Sequence, residues 1–201
     1  MRFLLLLAIV LLAGSACGAG APKLAQGPPP AQRTFEGTEV APPHKSAPLS
    51  LTDASGRRYT LSKLRGRNVL VTFLYTHCPD VCPLIASSLN TVLRTVGPQA
   101  KVDVLAVSVD PKGDTPQAVR AYAKKMRLDP RFHYLIGSPA ELRKAWSAWH
   151  ISSVSRAPNL VDHIAYTSLV DGRGRDRVLY DAQVSAQQVL HDLHVLSKQR
   201  A

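Results

Sequence analysis

Two cysteines, Cys78 and Cys82, lie within Thr76-His77-Cys78-Pro79-Asp80-Val81-Cys82-Pro83, directly after an apolar run from Asn68 to Tyr75. A spacing of i and i+4 on a helix places two side chains on one face with Cβ atoms about 5–6 Å apart. Thiols so placed share one metal ion or close a disulfide. A helix start adds free amides and the positive end of a dipole, and both favour the thiolate, the form that binds soft metals and attacks disulfides. Pro79 suits a first helical position, where its missing donor costs nothing. Pro83 is then four residues further on, its ring set against the Pro79 carbonyl, and the expectation is a distorted first turn. Three other readings stay open on these residues alone. An inert structural disulfide is one. A zinc shell of two cysteines, a histidine and water is another, although zinc fingers and ribbons prefer two residues between paired cysteines. A thioredoxin-type redox pair is the third; that motif also uses two intervening residues and usually follows Trp, whereas Thr76-His77 precede Cys78.

The elements around the pair read as an α/β chain. Asn68 to Tyr75 and Val102 to Val109 are near-continuous apolar runs, the pattern of strands covered on both faces. Between them, Pro79 to Val96 has helical spacing at Leu84, Leu89, Val92 and Leu93. Such a strand, helix, strand unit calls for a right-handed parallel crossover. Further helices fit Thr115 to Met126, Ala140 to Trp149 and Ser185 to Ser197, with strands at Phe132 to Ile136, Ala165 to Val170 and Val178 to Asp181. A hairpin starts at Leu51, turning on Asp53-Ala54-Ser55-Gly56. His150 to Ile164 reads as a loop long enough to suspect function.

The chain has 201 residues, 45% hydrophobic and 19% charged, which supplies one ordinary globular domain. Arg2, the apolar stretch Phe3 to Ala13 and the small residues Gly14, Ser15 and Ala16 have the pattern of a secretory signal. Cys17 follows directly, as in a lipoprotein leader whose cysteine is lipidated, although Gly14 stands where that signal prefers Leu. Ordinary cleavage and a retained anchor are the alternatives, and all three put the domain outside the cytoplasm. The expected organisation is a leader over residues 1–16, a Pro/Ala/Gly-rich tether over 17–43 and a folded domain over 44–201. Two cysteines then remain in an exported domain, a compartment in which they can pair. The net charge of +11 favours acidic partners or anionic lipid, but no nucleic-acid module or arginine-rich block is present.

Three blocks together resemble the Sco/SenC family, thioredoxin-fold copper-binding proteins of cytochrome c oxidase assembly. They are Phe73-Leu74-Tyr75-Thr76-His77-Cys78-Pro79-Asp80-Val81-Cys82-Pro83; Val107-Ser108-Val109-Asp110-Pro111 with Asp114-Thr115-Pro116; and Leu160-Val161-Asp162-His163. The similarity runs from about Leu51 to Leu196. It implies a thioredoxin-like fold, a central mixed β-sheet flanked by helices, and a copper site of Cys78, Cys82 and His163. Independent support for His163 is its place before the expected strand at Ala165, a segment that faces the cysteine pair in thioredoxin folds. Thiolate plus imidazole suits Cu(I), and the nitrogen ligand also accommodates Cu(II). With two methionines in the chain, a methionine-lined site is not expected. The resemblance further implies a monomeric, membrane-tethered metallochaperone that delivers copper to the CuA-bearing subunit of the oxidase. The alternative is an extracytoplasmic thiol-disulfide oxidoreductase that uses Cys78 and Cys82 to reduce that subunit's cysteines.

The remaining candidates have plainer readings. His77 is next to Cys78, but neighbours on an extended segment point to opposite faces. His191 and His194 share a face of the last helix as surface or packing residues. Trp146 and Trp149 are a helix face turned to the core, and Asp80 and Asp162 flank the ligand set as charge-tuning, partner-facing, capping or solvated residues.

Overall fold

A computed structural model describes residues 34–157, 160–163 and 165–199, with side chains over 153–164 outside the description. The leader, Cys17 and residues 17–33 of the expected tether therefore lie outside the described residues. Among those described, no helix is long and apolar enough to cross a membrane.

Strands β4 (Asn68–Leu74) and β5 (Val102–Ser108) form the centre and are buried at every position. Leu70, Val71, Phe73 and Leu74 of β4 have no exposed surface, and a fully buried apolar side chain of this size contributes about 1.5–3 kcal/mol. β4 pairs in parallel with β5, and β5 in parallel with β6 (Phe132–Ile136). Antiparallel strands flank this core. On one side lie β9 (Thr167–Val170), β10 (Arg175–Tyr180) and β1 (Thr38–Lys45). On the other lie β2 (Ser50–Asp53) and β3 (Arg58–Thr60), the expected hairpin. The eight-stranded order is β1-β10-β9-β4-β5-β6-β2-β3. The mixed sheet and the helices α1 (Val81–Val96), α2 (Pro116–Met126), α3 (Pro139–Ala148) and α4 (Ala186–Lys198) bear out the expected class.

Four expectations are corrected. The folded part begins earlier than residue 44, because β1 takes in residues assigned to the tether and Phe35 ahead of it is buried. Helix α1 begins at Val81 and not at Pro79, so Pro83 is its third residue. The amide lost there has no partner within a helix anyway, and no helical turn precedes it for the ring to strike. Leu84 faces solvent, 64% exposed, while Ile85, Ala86, Leu89, Val92 and Leu93 form the buried stripe. The expected loop from His150 to Ile164 contains a hairpin of β7 (Ser153–Ala157) and β8 (Leu160–His163).

Candidate metal centre

At the carboxyl end of β4 the chain leaves the sheet through Tyr75, turns at Thr76 and His77, and enters α1 at Val81. Cys78 lies in this turn, outside the helix, and Cys82 in the first helical turn. The pair is therefore not two positions on one helical face, as the i, i+4 spacing suggests. The turn folds Cys78 back over the helix mouth, and the Cys82 amide donates to Cys78 Sγ at 3.4 Å. The Cys78 amide closes the turn onto the Tyr75 carbonyl at 3.3 Å. Asp80, the residue ahead of α1, makes no side-chain cap, so the Cys78 sulfur takes a role that a capping oxygen usually fills.

The two free thiols differ sharply. Cys78 is half-buried, whereas Cys82 has no exposed surface. The hydrogen bond from Cys82, followed by backbone amides of Asp80 and Cys82 and the Tyr75 side chain, outweighs burial and pulls the Cys78 thiol down to about 5. The same interaction seen from the other side, together with burial, pushes Cys82 far up. At neutral pH the site holds one accessible thiolate and one buried thiol. Two soft donors on one turn suit a soft metal, and binding it to both sulfurs releases the Cys82 proton.

A buried carboxylate holds the turn. Asp114 accepts from the Thr76 amide at 2.8 Å and Thr76 Oγ1 at 2.7 Å on one oxygen, and from Ser108 Oγ at 2.6 Å and Tyr134 Oη at 3.1 Å on the other. Burial raises its pKa, and the four donors oppose that rise. Tyr122 packs edge-on to Tyr134, with ring centroids 5.8 Å apart. Its buried hydroxyl has no partner among the described residues. Burial and the charges of Cys82, Cys78 and Asp114 push that hydroxyl's pKa up. The loop from Asp110 comes equally close, since a Cβ on Gly113 would meet Asp110 Oδ2 at 2.2 Å and His77 Nδ1 at 3.2 Å. Asp114 stands within the second sequence block, where an acidic residue just past a buried strand end is the signal of this role.

His77 is exposed, with Nδ1 at 3.1 Å from Thr76 Oγ1, and Asp80 is exposed. His191 meets Asp192 at 3.0 Å, His194 is exposed, and the described side chains contain no group of three or more metal-ligating residues. Trp149 is buried, and half-buried Trp146 donates its Nε1 to the Ser108 carbonyl at 2.8 Å, as a core-facing pair should. His163 ends β8, opposite Ser153, but its side chain and that of Asp162 lie outside the described residues. Its place in the chain is nonetheless informative. β9 runs antiparallel to β4 with Thr167 opposite Thr72, so β9 begins at the sheet end where β4 delivers the cysteines. Thr72 Oγ1 donates to the Tyr166 carbonyl at 3.3 Å, and Tyr166 Oη to the Trp149 carbonyl at 2.6 Å, which ties the base of the β7–β8 hairpin to that end.

Known proteins share this fold. A SCO2-like protein of Rickettsia prowazekii is 29% identical over 151 residues, 71% of this chain and 72% of the relative. The solution structure of apo Sco1 from Thermus thermophilus is 35% identical, with a TM-score of 0.69 over 83% of this chain and 99% of that one. ScoI of Bradyrhizobium japonicum, solved with copper bound, is 33% identical, with a TM-score of 0.65 over 75% of this chain and 98% of that one. The model of the SCO1/SenC family matches residues 38–198, so this chain belongs to the SCO1/SenC family.

Proposed function

We propose that the chain is an extracytoplasmic copper metallochaperone that takes up copper through Cys78, Cys82 and His163 and passes it to the CuA-bearing subunit of cytochrome c oxidase. Copper is its cargo. The observation that carries the reading is the Cys78 thiolate held over the mouth of α1 by the Cys82 amide, half-exposed at a sheet end. Membership of a family whose Bradyrhizobium member is solved with copper supports it. Cys78 meets incoming metal, Cys82 gives up its proton to complete a dithiolate, and the exposed flank leaves room for a partner's ligands to displace them. His163 adds the nitrogen that suits Cu(II). A membrane tether through the leader or a lipidated Cys17 keeps the domain near the oxidase.

A second reading rests on the asymmetry of the same pair. An accessible low-pKa thiol beside a buried one is the arrangement of a dithiol reductant, and a disulfide between them removes both sulfur ligands of copper at once. His163→Ala separates the two roles. In the pre-reduced chain, Cu(II) affinity should fall by at least tenfold and Cu(I) affinity much less, with Cys78 and Cys82 still able to oxidise to a disulfide. Unchanged Cu(II) affinity removes His163 from the site; absent copper binding together with rapid turnover of disulfide substrates favours the reductase.

A further inference from the structure

Away from the cysteines, the turn joining β9 to β10 and the start of β10 carry three arginines at alternate positions, Arg173, Arg175 and Arg177. β9 ends with Val170 opposite Val69, so this turn sits at the sheet end opposite the cysteine site. Asp171 organises it. One carboxylate oxygen accepts from the Arg173 and Arg175 amides at 2.9 and 3.0 Å, and the other from Arg175 Nε and Nη2 at 3.0 and 2.8 Å and from Arg177 Nη1 at 3.4 Å. That single negative charge is shared between the guanidinium groups of Arg175 and Arg177, while Arg173 gives it only a backbone amide. Arg65 adds a fourth arginine: a Cβ on Gly174 would meet its Nη1 at 2.0 Å, so the guanidinium lies against the turn.

Arg177 makes the surplus unusual, because only 8% of it is exposed. Its guanidinium lies over the Phe35 ring at 5.6 Å and gives Nη2 to Gln199 Oε1 at 2.5 Å, yet among the described residues Nε finds no acceptor. Arg177 shares its counter-charge, Asp171, with Arg175, so the burial of its cation is only partly compensated. The three arginines, Asp171 and Gln199 line a cavity of about 200 Å³. A cavity of that size has room for a tetrahedral oxyanion with its ester substituents or several waters. Guanidinium forks match phosphate oxygens in pairs, and a chain of net charge +11 concentrates anions around it.

We infer that the cavity between the β9–β10 turn and the carboxyl end of α4 is a binding site for a phosphate group, held by Arg173, Arg175 and Arg177. The phosphate comes either from solution or from an anionic lipid headgroup, and both present the same oxygens to the arginines.

The test follows inorganic phosphate by calorimetry and amide NMR on the full chain, beside sedimentation with phosphatidylglycerol and phosphatidylcholine vesicles. Arg173→Ala is the working variant, because the side chain is exposed on the turn and its loss leaves the Asp171 pairs in place. Lys144→Ala removes the same charge from an exposed position on α3 and serves as control. Saturable phosphate binding should shift the amides of residues 171–177 and 197–199, with Arg173→Ala weaker by roughly tenfold and Lys144→Ala unchanged. If Arg173→Ala, and not Lys144→Ala, also loses phosphatidylglycerol vesicles, the headgroup is the ligand. Equal vesicle binding by all three with the phosphate effect intact assigns the site to free phosphate. Non-saturable binding, shifts elsewhere, or identical losses in both variants overturn the site. Copper binding is read separately, so the failure of either proposal leaves the other standing.

Discussion

Burial divides the labour between Cys78 and Cys82, and the division is measurable one residue at a time. The largest influence lowering Cys78 is the hydrogen bond from Cys82, so Cys82→Ser should move the Cys78 titration upward from about 5. Because the folded value lies below the ordinary thiol value, the thiolate stabilises the fold fully above the ordinary value, and that contribution is lost as pH falls through about 5. The rate of alkylation of the reduced chain should therefore rise through a midpoint near 5 at Cys78, with Cys82 protected. A wild-type midpoint at the ordinary thiol value, or first modification at Cys82, would sink the assignment. The cysteines were legible in the sequence because their type and spacing are rare together. Asp114 was not legible as part of the site, because its role depends on four donors from three different segments that only the fold gathers.

Elements with an unambiguous burial pattern were legible, and those whose pattern is cancelled by pairing were not. β4 and β5 are apolar on both faces, and α2, α3 and α4 are preceded by Thr115, Ser138 and Ser185, each accepting a backbone amide as a cap. β10 begins at Arg175, earlier than its apolar residues suggest, because Asp171 neutralises charges that otherwise read as loop. β1 carries Pro42 and Pro43 where its pairing with β10 is irregular, an arrangement tolerated only on an edge strand, and its exposed residues show no alternation. The turn that carries Cys78 is held to the loop after β5 by Asp114. In Asp114→Asn one oxygen becomes an NH₂ facing two donors, so urea unfolding should show a loss of about 1–3 kcal/mol. The amide of Thr76 should exchange faster while those of β5 hold. Loss spread evenly over β4, β5 and α1 would show instead that Asp114 acts on the whole core and not on the turn.

On the scale of the whole molecule, the first described segment is tied to the last helix by one carboxylate. Asp192 of α4 has no exposed surface and accepts from the amides of Glu36 at 2.7 Å and Gly37 at 3.1 Å and from Tyr180 Oη at 2.8 Å. Gly37 permits the approach, since a Cβ there would meet Val178 Cγ1 at 2.4 Å. The sequence shows none of this, because the partners are separated by 156 and 155 positions and Asp192 reads as one more polar residue on an amphipathic helix. Asp192→Ala leaves two amides and a phenol without their acceptor, at a cost of about 2–4 kcal/mol. β1 is an outer strand, held only by β10 in the sheet, whereas the cysteine site is built on β4 and α1 at the centre. The loss should therefore be local. Hydrogen exchange of β1 amides should accelerate by at least tenfold, those of β4 and β5 should stay slow, and copper uptake by the reduced chain should be unchanged. Equal acceleration in β1 and β4 would mean that the edge and the centre unfold together, and that the tie at Asp192 supports the site as well as the segment leading into the domain.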